Sequence, residues 1–200
     1  MTKKERVLKL RELLDKAYPD VKCSLNYTTP LEMLIATQMS AQCTDARVNI
    51  ITETLFKKYR NAEDFANADY DELCEDIKSA GFYRNRLIDV YGGEVPDTME
   101  DLTSLAGTGR KTANLVLGDI FGKPAVVVDT HCKRIAKRIG LTTNDDPTKV
   151  EMDLKKIVPS DYQLRMCHQF VAHGRAVCTA RNPKCAVCPI KEVCKSAGKC

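Results

Sequence analysis

The sequence lacks any long apolar run, any convincing pair of alternating strand-like segments, any low-complexity tract and any short repeat. Each absence narrows the possibilities. No stretch approaches the roughly 20 apolar residues that a bilayer-crossing helix needs. The first residues, Met1-Thr2-Lys3-Lys4-Glu5-Arg6, carry no apolar core of a secretory signal, so the chain is expected in the cytoplasm. Disulfides are rare there, and ten cysteines then call for another explanation. Without strand pairs, the expected fold is all-α. What is present is ordinary for a globular protein, 44% apolar and 29% charged residues. A chain of 200 residues can hold one large domain or two small ones with a shared core. The net charge of +4 permits a polyanionic partner without demanding one. Basic residues do cluster, at Arg110 and Lys111, at Lys133, Arg134, Lys137 and Arg138, and at Arg181 and Lys184. Such patches suit nucleic acid; solvated helix faces are the plainer alternative.

Helical patterns fill the chain. Lys3 to Ala17 puts Val7, Leu10, Leu14 and Ala17 on one face. Thr29-Pro30-Leu31-Glu32 combines an N-cap threonine, proline at the first helical position and glutamate at the third. The helix it opens, to about Ser40, is apolar almost all round and should be buried. Another begins near Asp45, with Val48, Ile51, Leu55 and Tyr59 inward. Asp69-x-x-Glu72 opens a short helix that Gly81 would close. Further helices are predicted over 98–105, 112–121 and 130–139, the last closed by Gly140. Two more run from Asp146-Pro147, with Val150, Leu154 and Ile157 inward, and from Asp161 to His173, ended by Gly174.

The segment Leu105-Ala106-Gly107-Thr108-Gly109-Arg110-Lys111-Thr112-Ala113-Asn114 joins two of these helices. Asp97-x-x-Glu100 before it has a capping-box pattern. Gly107 and Gly109 allow positive φ and close backbone approach to a ligand. Backbone N–H groups at the start of the second helix suit a phosphate. Lys111 falls in that helix's first turn, where the positive helix end and Arg110 both disfavour an ammonium ion. That combination describes an amine poised as a nucleophile beside a phosphate. Eighteen residues on, Asp129 stands in Val126-Val127-Val128-Asp129-Thr130-His131. It is either a functional carboxylate or a plain N-cap.

Cys178-x6-Cys185-x2-Cys188-x5-Cys194 falls in the final 23 residues. Four thiolates so close together form one ligand set, and both zinc and a cubane iron–sulfur cluster accept four cysteines. Cys23, Cys43, Cys74, Cys132 and Cys167 are scattered and are expected as small core residues; Cys200 is expected as a spare surface thiol.

Taken together, these features resemble the endonuclease III family of the helix-hairpin-helix superfamily. The resemblance is carried by Ser40-Ala41-Gln42-x-Thr44-Asp45, Gly92-Gly93-Glu94-Val95-Pro96, the glycine hairpin with Lys111, Val128-Asp129-Thr130-His131, His173-Gly174-Arg175 and the cysteine quartet. It implies a helix-hairpin-helix DNA glycosylase fold, with a six-helix domain over 20–123 and an iron–sulfur domain built from 1–19 and 124–200. It implies a [4Fe–4S] cluster on Cys178, Cys185, Cys188 and Cys194, which favours iron over zinc. The implied activity is base-excision repair in a bacterial, nucleoid-associated monomer acting on double-stranded DNA with damaged pyrimidines or abasic sites. Lys111 would attack the sugar C1′ and expel an oxidised pyrimidine, Asp129 would stabilise positive charge, and β-elimination would nick the strand. Gln42 would fill the vacated space and Phe82 would wedge into the duplex. Gly107, Gly109, Arg110, His131, Arg181 and Lys184 would complete the DNA-binding set. A relative acting on adenine mismatches lacks the hairpin lysine, so Lys111 argues against that branch.

Three departures from the family pattern stand out. Ala106 and Thr108 occupy hairpin positions where the family usually has proline and a β-branched apolar residue. Phe82 replaces a wedge residue that is often leucine. Between Phe82-Tyr83-Arg84-Asn85 and Gly92-Gly93 only Arg86 to Tyr91 remain. The family carries a full helix there, roughly ten residues longer, or nearly three turns at 1.5 Å rise per residue. The expectation is a helical stub at 84–91 beside an apolar patch or cavity. The alternative function is a DNA-binding iron–sulfur protein of the same fold, made inactive or unstable by that shortened helix.

Overall fold

A computed structural model describes residues 1–41, 43–77 and 91–199. Among these residues every regular element is helical and there is no strand. The helices are α1 (Lys3–Ala17), α2 (Pro30–Met39), α3 (Asp45–Lys58), α4 (Ala62–Asn67), α5 (Tyr70–Ile77), α6 (Met99–Ser104), α7 (Arg110–Asp119), α8 (Thr130–Ile139), α9 (Pro147–Ile157) and α10 (Gln163–Ala176). Short 3₁₀ turns lie at 160–162, 185–187 and 191–193. Two compact units result: Cys23–Lys123, and Met1–Lys22 together with Pro124–Cys200. The expected helical stub at 84–91 lies, up to residue 90, outside the described residues, as do Gly81, Phe82, Gln42 and Cys200.

In the unit Cys23–Lys123, α2 is central. Met33, Leu34, Ile35, Ala36 and Met39 are all buried, so the helix has almost no polar side. Its start is fixed by a full capping box, with Thr29 and Glu32 each bonding the other's backbone. It packs against α3 and α7, and α7 against α6. Val48, Thr52 and Leu55 are the buried residues of α3. The cap of α6 is Thr98, whose hydroxyl accepts from the Asp101 N–H at 3.1 Å. That is one residue later than the Asp97-x-x-Glu100 pattern suggests; Asp97 instead pairs with Lys123 at 2.6 Å.

In the other unit α10 lies on α8, and α1 meets α9 and α10. Gly140, at φ +86°, ends α8 in the left-handed conformation that glycine adopts without strain. Gly174 does not end α10, which continues to Ala176. A Cβ there would lie 2.5 Å from His131 Cδ2 and 2.9 Å from an Arg134 guanidinium nitrogen. Close packing, rather than helix termination, explains this glycine. Cys132 and Cys167 are core residues as expected, whereas Cys23 and Cys43 are only half-buried.

Candidate active site and metal centre

The hairpin is built from local bonds. Leu105 N–H donates to Leu102 O, and Thr108 N–H to Leu105 O, at 3.2 and 3.0 Å. Gly107 takes φ +69°. Gly109 is different: its φ of −83° is open to any residue, and a Cβ there would meet no atom within 4 Å. Neither backbone conformation nor packing among the described residues requires that glycine. Gly109 is also the N-cap of α7 and offers no side-chain cap. The start of α7 carries the positive end of the helix dipole, which suits a phosphate. Arg110 and Lys111 open this helix two residues earlier than predicted. Lys111 is exposed, and no ion pair holds it among the described residues. Thr108, by contrast, is buried and accepts a hydrogen bond from Gln38 Nε2 at 2.9 Å. This pairing explains how a polar residue sits in an apolar family position; no sequence pattern pointed to Gln38.

Asp129 is the N-cap of α8. Its Oδ1 accepts from the Cys132 N–H at 2.6 Å and its Oδ2 from His131 Nδ1 at 3.1 Å. The carboxylate keeps 19% of its side-chain surface exposed, so capping has not withdrawn it from solvent. Behind it, Cys132 and Cys167 form a buried thiol pair. The bond from Cys167 and burial together push the Cys132 thiol far up, which keeps it protonated and inert.

Cys178, Cys185, Cys188 and Cys194 line one open pocket with Ile135, Ile139, Val177 and Ile190. All four are free thiols. An all-thiol donor set with apolar walls fits an iron–sulfur cluster. Burial pushes the Cys188 and Cys194 thiols up; ionising them calls for the positive charge of bound iron. Arg134 and Arg138, counted above among the basic patch, turn inward here. Arg134 donates to Cys178 O at 3.0 Å, and Arg138 to Cys178 Sγ at 3.3 Å and Thr179 O at 2.7 Å. His173 is fully buried, and burial pushes its pKa down to about 4. Arg181 and Lys184 are exposed on the loop between the first two cysteines. Asn182, at φ +53°, turns that loop, and Lys184 Nζ donates to Ala176 O at 3.2 Å.

The predicted residues thus fall into three groups: Gly107, Gly109, Arg110 and Lys111 on the hairpin; Asp129 and His131 at the start of α8; and the four cysteines with Arg181 and Lys184 in the last segment. Gln42 and Phe82 lie outside the described residues.

Known proteins give these groups a context. Residues 35–160 match the HhH-GPD superfamily of base excision DNA repair proteins. Residues 178–194 match the iron–sulfur binding domain of endonuclease III. The chain is 44% identical to endonuclease III of Synechocystis sp., over 98% of this chain and 94% of that one. It is similar to the solved "non-covalent Endonuclease III-DNA Complex", with a TM-score of 0.89 and 41% identity, over 100% of this chain and 98% of the other. A "Trapped Endonuclease III-DNA Covalent Intermediate" gives a TM-score of 0.87 and 41% identity over the same shares. None of these similarities supports the inactive alternative.

Proposed function

This chain belongs to the endonuclease III family of HhH-GPD base excision repair proteins, and on that premise we propose that Lys111 is its nucleophile and Asp129 the carboxylate that assists it. The protein is a DNA glycosylase and abasic-site lyase that binds DNA and carries a [4Fe–4S] cluster. Its proposed substrates are oxidised pyrimidines and abasic sites in duplex DNA, acted on by a monomer. Damaged pairs cost least to open, and the base must leave the stack before it can react. Gln42 fills the space it vacates and Phe82 wedges beside it.

The observation that carries this reading is the exposed Lys111 amine in the first turn of a helix whose N-terminus has no side-chain cap, directly after Gly109. The N–H groups there and Arg110 hold a backbone phosphate, which brings a deoxyribose to the amine. The Lys111 amine attacks C1′, the glycosidic bond breaks, and the base leaves with its electron pair and takes up a proton. Asp129 stabilises positive charge on the sugar and assists proton transfer, with His131 fixing the orientation of its Oδ2. The nitrogen sheds a proton and the C1′–O4′ bond opens, its electron pair and a proton going to O4′, which leaves a Schiff base at C1′; loss of a proton from C2′ then expels the 3′ phosphate and nicks the strand. Bound at Cys178, Cys185, Cys188 and Cys194, the cluster supplies cross-links rather than base chemistry. The loop it holds presents Arg181 and Lys184 to the phosphate backbone.

Borohydride traps the Schiff base as a stable amine. Lys111→Gln is expected to abolish trapping on thymine-glycol and abasic duplexes while the visible absorbance of the cluster is kept. Persistent trapping in that variant would move the nucleophile to another residue.

A further inference from the structure

Outside the reacting groups, a chain of three side chains leads from the end of α1 to the metal centre. Tyr18 is the C-cap residue of α1, its N–H donating to Leu14 O at 2.7 Å. Its hydroxyl meets His173 Nδ1 at 3.0 Å, and the two rings make an edge contact with centroids 5.8 Å apart. On the far side of the same imidazole, Nε2 meets Cys188 Sγ at 3.6 Å. His173 has no exposed surface, so no solvent competes for either nitrogen.

These contacts decide the tautomer. A ligand thiolate can only accept, so the nitrogen facing it must carry the hydrogen. Nε2–H therefore donates to Cys188 Sγ, and in the neutral ring Nδ1 has only a lone pair. Tyr18 supplies the hydroxyl that this lone pair accepts. Without that hydroxyl the other tautomer loses its disadvantage at Nδ1, and the bond to sulfur weakens. Hydrogen bonds to cluster sulfurs are one of the factors that set reduction potential, because they stabilise the more negative, reduced form.

We infer that Tyr18 is a remote positioning residue of the iron–sulfur centre: through His173 it fixes an N–H donor on Cys188 and thereby raises the cluster's reduction potential. The inference rests on Cys188 being a ligand, and that premise is tested separately by Cys188→Ser. Unchanged cluster absorbance and iron content in Cys188→Ser would remove the premise.

The test uses purified holoprotein. Tyr18→Phe keeps the ring and removes only the hydroxyl. Its midpoint potential, measured by voltammetry, is expected to fall by the order of a tenfold change in the one-electron equilibrium constant, which is about 59 mV. Its Fe–Sγ vibrations in the resonance Raman spectrum should shift, with iron content per protein unchanged. In a His173→Gln background, where an amide donor replaces the imidazole, adding Tyr18→Phe should leave the potential where it is. A purely structural tyrosine would change stability in both backgrounds and the potential in neither. If Tyr18→Phe assembles poorly, site-specific fluorotyrosine at position 18 alters phenol acidity with little change of shape, and the potential must then follow that acidity. An unshifted potential and unshifted Fe–Sγ bands in a fully loaded Tyr18 variant would overturn the inference.

Discussion

Asp129 shows how one residue can be both structural and chemical. As an N-cap it spares α8 an unpaired N–H, and replacing such a cap by alanine costs about 1 kcal/mol. Alanine is therefore a poor probe, because it removes cap and charge together. Asparagine caps a helix as well as aspartate does and keeps an oxygen for the Cys132 N–H, but it carries no charge. Asp129→Asn is expected to hold the melting temperature close to that of the native protein while turnover on a thymine-glycol duplex drops by roughly 10²–10³, the loss typical of removing one transition-state stabilising group. Native turnover in that variant would reduce Asp129 to its capping role.

At this scale much of the site was legible, since caps, glycines and cysteine spacings are local patterns. Gly140 stands at the end of its helix as a local rule predicts, and Thr29 and Asp146 cap as expected. Gly174 misled because a glycine after an apolar helical pattern looks like a stop. Its real constraint is the His131 ring on another helix, which no local rule contains. Tyr18 and His173 lie 155 residues apart, and Gln38 and Thr108 lie 70 apart. Pairings at such distances leave no periodic trace in a single sequence.

Among elements, the hairpin is the one whose shape matters most. It is held to α2 by the bond from Gln38 to Thr108. Gln38→Leu leaves the buried Thr108 hydroxyl without that donor, at a cost of about 1–3 kcal/mol. Adding Thr108→Val removes the orphaned group and restores the apolar character usual in the family. Urea melts of the two single variants and the double variant are expected to show the double recovering most of the loss, a coupling that only contacting residues give. Independent, additive losses would mean that the bond contributes nothing.

The loop between α8 and α9 supplies a pH dependence. Asp153 Oδ2 accepts from Thr142 Oγ1 at 2.6 Å and from Asn144 Nδ2 at 2.7 Å. The hydrogen bond from Thr142, then that from Asn144, holds its carboxyl below the ordinary value of 3.8. In the acid range the unfolded chain therefore binds this proton before the folded one does. The stabilisation is complete above the ordinary carboxylate value and is lost as pH falls through the lowered folded value. Asp153→Asn should melt lower than the native protein at neutral pH and show a flatter acid limb below about pH 4. Parallel acid limbs in the two proteins would assign that slope to other carboxylates.

At the scale of the whole molecule, the cysteine quartet and the two-unit division predict how the protein comes apart. Among the described residues of the last segment, 178–199, the regular elements are two three-residue turns, and the buried apolar side chains are Ile190 and Val193. So short a segment has too little core to order itself, and metal binding becomes folding free energy. Its order is passed to the chain's other end: Arg6 in α1 is buried and donates to Val193 O at 2.5 Å, and Lys9 faces Glu192 at 4.0 Å. The unit Cys23–Lys123 has its own core around α2 and holds none of the four ligands. Removing the iron from the intact protein should therefore speed amide hydrogen exchange in 178–199 and in α1, while α2 and α7 keep their protection. DNA nicking should fall in the same preparation because the loop bearing Arg181 and Lys184 is no longer held. Equal loss of protection in α2 would show that the cluster supports both units and that α2 does not stand as a core by itself.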